Sequence, residues 1–283
     1  MYESFFGLRE PAFSLSPDPR FLWASETHQE GLAVLQYGIS QRKGFLLLTG
    51  EIGTGKTTLL HAVLERLPAD TETAVIMNTA SLGRLDVLKL VAEEFRIRDL
   101  RLESKADYVV AVTDYLLERL GAGLNTVLIV DEAQNLDEDG LEEVRLLSNV
   151  ESASQKSLQI VLMGQPELRQ TLASPVLRPL RQRIALEHHI EPLAVDEIRS
   201  YLCHRIEVAG GKFDEVFGLG AESVFASFSS GSPRLLNILA DRVLLSAFAK
   251  QVRPVPLELL EQKAKALQRP PGGGTPADGN SGE

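Results

Sequence analysis

Phe45-Leu46-Leu47-Leu48-Thr49-Gly50-Glu51-Ile52-Gly53-Thr54-Gly55-Lys56-Thr57-Thr58 is the stretch on which the fold turns. Its first five residues form a short apolar run, as a strand requires when both its faces are covered. A glycine-rich turn follows, and over residues 56–67 the apolar spacing becomes helical. Residues 50–57 match G-x-x-x-x-G-K-[ST], with the strand before and the helix after that this pattern demands. Glycines let the backbone turn its N–H groups toward an anion, and the next helix aims its positive end at the same point. The segment therefore reads as a cradle for the phosphates of a nucleoside triphosphate, formed by Gly50, Glu51, Ile52, Gly53, Thr54, Gly55, Lys56, Thr57 and Thr58. Lys56 is expected on the β- and γ-phosphates and the Thr57 hydroxyl on Mg²⁺. A glycine-rich turn matching by chance is the bland alternative, and the flanking strand and helix weigh against it.

Outward from this stretch, strands alternate with helices. Residues 73–78 read as a second strand, followed by helices near 84–95 and 106–120. Residues 127–130, 158–164 and 184–190 supply three more strands. Long helical connections imply right-handed crossovers and a parallel five-stranded sheet covered on both faces by helices. After Pro192 the pattern changes to helices at 195–208, 221–228, 233–250 and 256–267. The expected architecture is α/β, a nucleotide-binding domain over 1–193 with a small all-helical lid over 194–268. Residues 1–25, dense in aromatics and prolines, read as an extended segment laid over the nucleotide domain, with Ser25 capping a helix to about Gln41. The Pro/Gly-rich tail 269–283 has nothing to bury and is expected to be disordered.

Val127-Leu128-Ile129-Val130 ends in Asp131 and Glu132. Ligands of open α/β sheets lie beyond the carboxyl ends of the strands, so Asp131 should emerge beside the phosphate loop and hold Mg²⁺. Glu132 stands where a carboxylate orients or deprotonates an attacking water. The competing account makes the pair a simple helix cap. A water-activating carboxylate separates a hydrolase from a small-molecule kinase, which passes phosphate to a substrate hydroxyl.

Phe5-Phe6-Gly7-Leu8, Phe13-Ser14-Leu15-Ser16-Pro17-Asp18-Pro19, the phosphate loop and Asp131-Glu132-Ala133-Gln134-Asn135-Leu136 resemble a known set of motifs. So do Arg145-Leu146-Leu147-Ser148-Asn149, Gly164-Gln165-Pro166-Glu167-Leu168 and Leu180-Arg181-Gln182-Arg183-Ile184. Together they resemble the general secretion pathway protein A ATPases, ExeA-like members of the AAA+ superfamily, over about residues 1–265. The resemblance implies that Gln165 is a polar "sensor 1" at the γ-phosphate or attacking water, although a polar residue closing a strand is also a plain turn signal. It implies that Arg234, after the helix start Ser232-Pro233, is the "sensor 2" arginine reaching from the lid to a nucleotide bound between the domains. An arginine of the cluster Arg178, Arg181 and Arg183 would act in trans as a finger on a neighbour's γ-phosphate, Arg183 or Arg181 being favoured. Against this stands a solvated charge run. The resemblance also sets His28 and Gln29 near the adenine pocket. A homo-oligomer, ring or dimer, with a protein partner in secretion or cell-envelope assembly follows from the same likeness. Related ATPases serve transposition and exosortase gene clusters, so a DNA-dependent regulator of a transposase is the rival reading. Family members continue into a membrane segment and a peptidoglycan-binding domain. A stand-alone relative and a piece cut at a linker are both compatible with where this chain stops.

Composition bounds these readings. With 29 basic and 39 acidic residues the formal charge is -10, which gives no electrostatic footprint for non-specific nucleic-acid binding. One cysteine, Cys203, forbids an internal disulfide and fits a reducing compartment, and it reads as packed rather than reactive. No signal peptide or membrane-length apolar run is read, so the expected address is the cytoplasm, peripheral to the inner membrane only through a partner. His188 and His189 lie on one strand and face opposite sides, which makes them structural rather than a metal pair.

Overall fold

The computed structural model describes residues 1–77, 82–97, 102–150 and 156–268, in two units. The larger unit, Pro17–Pro192, opens with α1 (Glu26–Ser40), β1 (Phe45–Gly50), α2 (Lys56–Leu64) and β2 (Thr71–Ile76). It continues with α3 (Arg84–Glu94), α4 (Lys105–Gly121), β3 (Asn125–Val130), α5 (Glu138–Leu147) and β4 (Leu158–Gly164). It closes with α6 (Glu167–Leu172), α7 (Arg178–Arg181) and β5 (Ile184–Ile190). The sheet order is β2-β3-β4-β1-β5, every pairing parallel.

Both faces of the sheet are covered, which explains the unbroken apolar runs. Leu46, Leu48, Val127, Ile129, Val161 and Met163 pack with Leu35 and Ile39 of α1 and Leu59, Leu60 and Val63 of α2. Their strand neighbours Phe45, Leu47, Leu128, Val130, Ile160 and Leu162 point the other way, against Val87 and Val91 of α3, Leu116 of α4 and Val144 of α5. Each fully buried leucine, isoleucine or valine here is worth about 1.5–3 kcal/mol relative to exposure. The central strands β1, β3 and β4 are buried along their whole length, so the site at their ends rests on a rigid base.

Several boundaries differ from the sequence reading. α2 stops at Leu64, short of residue 67, because Leu67 precedes Pro68 and the residue before proline avoids the α region. α5 had no assigned range in the sequence reading, which offered Asp131 and Glu132 as the alternative cap of a following helix. Its run of acidic residues hides the apolar stripe Leu141, Val144 and Leu147, and Asp137 caps it by accepting from Gly140 N–H at 2.7 Å. The end of the expected second strand, Asn78, and the tail 269–283 lie outside the described residues.

The second unit joins Met1–Ser16 to Leu193–Glu283. It holds α8 (Val195–Val208), α9 (Phe213–Val216), α10 (Ala221–Ser229), α11 (Pro233–Ala249) and α12 (Leu257–Gln268). The expectation that residues 1–25 lie over the nucleotide domain is therefore corrected: the first sixteen residues fold into the helical unit. The N-terminal aromatics complete the core of these helices. Phe13 stacks edge-on against Phe217 at 6.3 Å and Phe5 against Phe248 at 5.6 Å. The buried Arg205 guanidinium donates to the carbonyls of Ala12 (2.6 Å) and Ser14 (3.1 Å), and the Tyr2 hydroxyl donates to Asp241. Among the described residues no helix is long and apolar enough to cross a membrane.

Candidate nucleotide site

β1 delivers the chain to the loop at Gly50, where a side chain would not fit. A Cβ there would lie 2.8 Å from the carbonyl oxygen of Ile190 and 2.9 Å from Thr54 Oγ1. The turn then uses left-handed backbone at Gly53 (φ 80°) and Gly55 (φ 97°), conformations that glycine adopts without strain. Gly55 is the N-cap of α2 and supplies no capping side chain, so the first N–H groups of the helix have no side-chain acceptor there. That is the arrangement of an anion cradle.

Lys56 is buried, and its ammonium donates to the carbonyls of Gly50 (2.8 Å) and Glu51 (3.0 Å). Burial holds its pKa below the ordinary lysine value, while Glu132, Asp131, Glu51 and Glu167 pull the other way. Thr57 Oγ1 donates to Asp131 Oδ2 at 3.2 Å, which joins the phosphate loop to the end of β3. Burial raises the Asp131 pKa and Glu132 adds to the rise, opposed by hydrogen bonds from the Glu132 N–H and Thr57. A hydroxyl and a buried carboxylate side by side suit Mg²⁺, which takes few protein ligands and keeps several waters.

Glu132 sits in the left-handed region (φ 51°, ψ 39°), a strained setting for a residue with a Cβ. Its carboxylate oxygen Oε2 accepts from the side-chain amides of Gln134 and, at 3.2 Å, Gln165. β4 neighbours β3, so Gln165 leaves the sheet next to the acidic pair as expected. Gln134 entered the sequence reading only as part of a motif, and its bonding could be found only once the turn 133–135 had folded beside β4.

His28 was expected near adenine. Its buried ring supports the loop: Nε2 donates to the carbonyl of Thr54 at 2.8 Å while Nδ1 pairs with the Ser25 hydroxyl at 2.6 Å. Gln29 is exposed and donates to the carbonyl of Ala24. His188 bonds the carbonyl of Thr27, and His189 pairs with Thr49 Oγ1.

The arginine cluster stands elsewhere. Ile184 pairs with Phe45 at the start of β1, and Ile190 pairs with Gly50 at its end. Arg183 and Arg181, just before β5, thus lie at the opposite strand ends from their own phosphate loop, about 20 Å away by the rise of a parallel strand. Arg183 Nη1 donates to Ser148 Oγ (2.6 Å) and the Arg145 carbonyl (3.3 Å), securing the last turn of α5. Arg178 and Arg181 are exposed. Arg234 is an exposed first-turn residue of α11. Ser232 occupies the N-cap there and Pro233 the first position, without a side-chain capping bond.

A family profile described as an AAA domain matches residues 39–172. Over 253 residues, 88% of the chain, it is 45% identical to general secretion pathway protein A of Aeromonas hydrophila. Residues 39–172 thus carry an AAA ATPase domain. The chain spans 45% of the length of that curated relative. Solved AAA+ structures share the fold at low identity. The Aeropyrum pernix ORC2 protein (ADPNP–ADP complexes) superposes with a TM-score of 0.72 at 15% identity, covering 93% of this chain and 73% of that one. Cdc6p from Pyrobaculum aerophilum gives 0.72 at 18%, covering 90% and 70%. The Thermotoga maritima RuvB branch migration motor gives 0.57 at 19%, covering 86% and 69%.

Proposed function

We propose that this AAA+ protein binds ATP with Mg²⁺ at residues 50–58 and hydrolyses it with Glu132 as the water-activating carboxylate. The observation that carries the reading is the meeting of three strand ends: Thr57 bonded to Asp131, and Glu132 bonded to Gln165. Thr57 and Asp131 would hold the magnesium, whose chemistry is to draw charge from the phosphate oxygens. Lys56, now on loop carbonyls, has the charge and position to take the β- and γ-phosphates. Gln165 helps to hold the Glu132 carboxylate and is suited to orienting the water. Arg234 is the helical unit's candidate for a nucleotide contact.

The working form is an oligomer, ring or dimer, that serves a secretion or cell-envelope assembly machinery, by analogy with the protein from Aeromonas hydrophila. Arg181, exposed and opposite its own site, is the better candidate than Arg183 for an arginine acting on a neighbour, because Arg183 is engaged with α5. The test is ATP turnover against protein concentration for wild type and Glu132→Gln, with and without duplex DNA. The reading requires turnover per subunit that rises with concentration and is lost in Glu132→Gln while ATP still binds. Equal turnover in the two proteins would remove Glu132 from the mechanism, and flat specific activity would remove the oligomer. A salt-sensitive stimulation by DNA would move the protein to nucleic-acid-dependent work.

A further inference from the structure

Gln134 is the polar side chain at this site to which the motif assigns no task. Its carboxamide is used at both ends: the NH₂ donates to Glu132 Oε2, and the oxygen accepts the backbone N–H of Gln165 at 3.0 Å. The two partners fix which way the amide faces, because a carboxylate requires a donor and an N–H requires an acceptor. Room for the group comes from Gly164, where a Cβ would fall 2.6 Å from Gln134 Oε1. Gln165 donates its own amide to the same Glu132 oxygen, so the two glutamines and the carboxylate close a ring of contacts across β3 and β4.

We propose that Gln134 is a positioning residue for hydrolysis, holding the Glu132 carboxylate in the place from which it acts on water. The proposal rests on the reading of Glu132 given above. A glutamate side chain has freely rotating bonds, and its backbone here starts from a strained conformation. Two amide donors on one carboxylate oxygen remove that freedom before substrate arrives. Through the Gln165 N–H, Gln134 also ties the carboxylate to the turn that leads from β4 into α6.

The experiment is ATP turnover by the whole chain, with nucleotide affinity measured alongside, for wild type, Gln134→Ala, Gln134→Glu, Glu132→Gln and the double variant Glu132→Gln/Gln134→Ala. Gln134→Ala is expected to lower kcat by at least about tenfold, with KM and ATP affinity held within about twofold. Gln134→Glu keeps an acceptor for the Gln165 N–H but sets a carboxylate against Glu132, so it should lose as much. In the Glu132→Gln background, under single-turnover conditions, Gln134→Ala should cost nothing further, since no carboxylate is left to hold. Gly164→Ala, which crowds the same amide, should also lower kcat. Wild-type kcat in Gln134→Glu, or a Gln134→Ala loss that persists in the double variant or falls on KM, overturns the proposal. An inactive Glu132→Gln beside a fully active Gln134→Ala overturns the role of Gln134 alone. A fully active Glu132→Gln overturns the reading of Glu132 first.

Discussion

Asp131 carries its charge where charge is penalised. Burial is the largest influence and lifts its pKa above the ordinary aspartate value, with Glu132 adding to the rise. The folded protein therefore keeps a proton at pH values where the unfolded chain has released it. Stability from this group falls as pH rises through the window above the ordinary carboxylate range. Asp131→Asn removes the penalty and is expected to raise Tm by a few degrees at neutral pH, by scanning fluorimetry, while Mg²⁺-dependent ATP affinity is lost. An unchanged or lower Tm would mean that the hydrogen bonds from Thr57 and the Glu132 N–H outweigh the burial cost. At this scale the sequence pointed to Gly50, Lys56, Thr57, Asp131 and Glu132 through the spacing of their motifs, and the fold brings them together. It did not give the bonds that His28 and Gln134 make, which reach a buried carbonyl and a neighbouring strand end far along the chain.

Among the elements, α5 and β5 show how a charged residue divides between support and function. Arg183 closes the last turn of α5 through Ser148 and the Arg145 carbonyl, while Arg181, two residues earlier, faces solvent. Arg183→Ala should destabilise the fold by about 1–3 kcal/mol in urea unfolding, the typical cost of leaving such acceptors unmet. Arg181→Ala should stay within about 0.5 kcal/mol of wild type. In turnover the order should reverse, with Arg181→Ala removing the dependence on protein concentration. A stable Arg183→Ala without turnover would restore Arg183 as the trans-acting residue. The strands were readable because a sheet covered on both faces needs continuous apolar runs. α5 was not, because four acidic residues in ten mask a stripe that only the folded sheet selects.

For the molecule as a whole, the N-terminal segment is the instructive case. Arg205, buried with its guanidinium on the Ala12 and Ser14 carbonyls, fastens Met1–Ser16 to the helical unit. Arg205→Met keeps much of the apolar stem and removes those bonds. Limited chymotrypsin digestion should then cut the chain within its first sixteen residues far faster than in wild type, and equal resistance would assign the hold to the aromatic contacts alone. The chain thus passes between its two units twice, at Ser16–Pro17 and at Pro192–Leu193. The sequence by itself determined the α/β class, the parallel sheet, the phosphate loop and the acidic pair, because local periodicity and the geometry of phosphate binding leave few alternatives. Only the tertiary structure decided which unit takes the first sixteen residues, which arginine is engaged, and which amides hold Glu132. Those outcomes depend on contacts between residues far apart in the chain, and such contacts leave no pattern in local spacing.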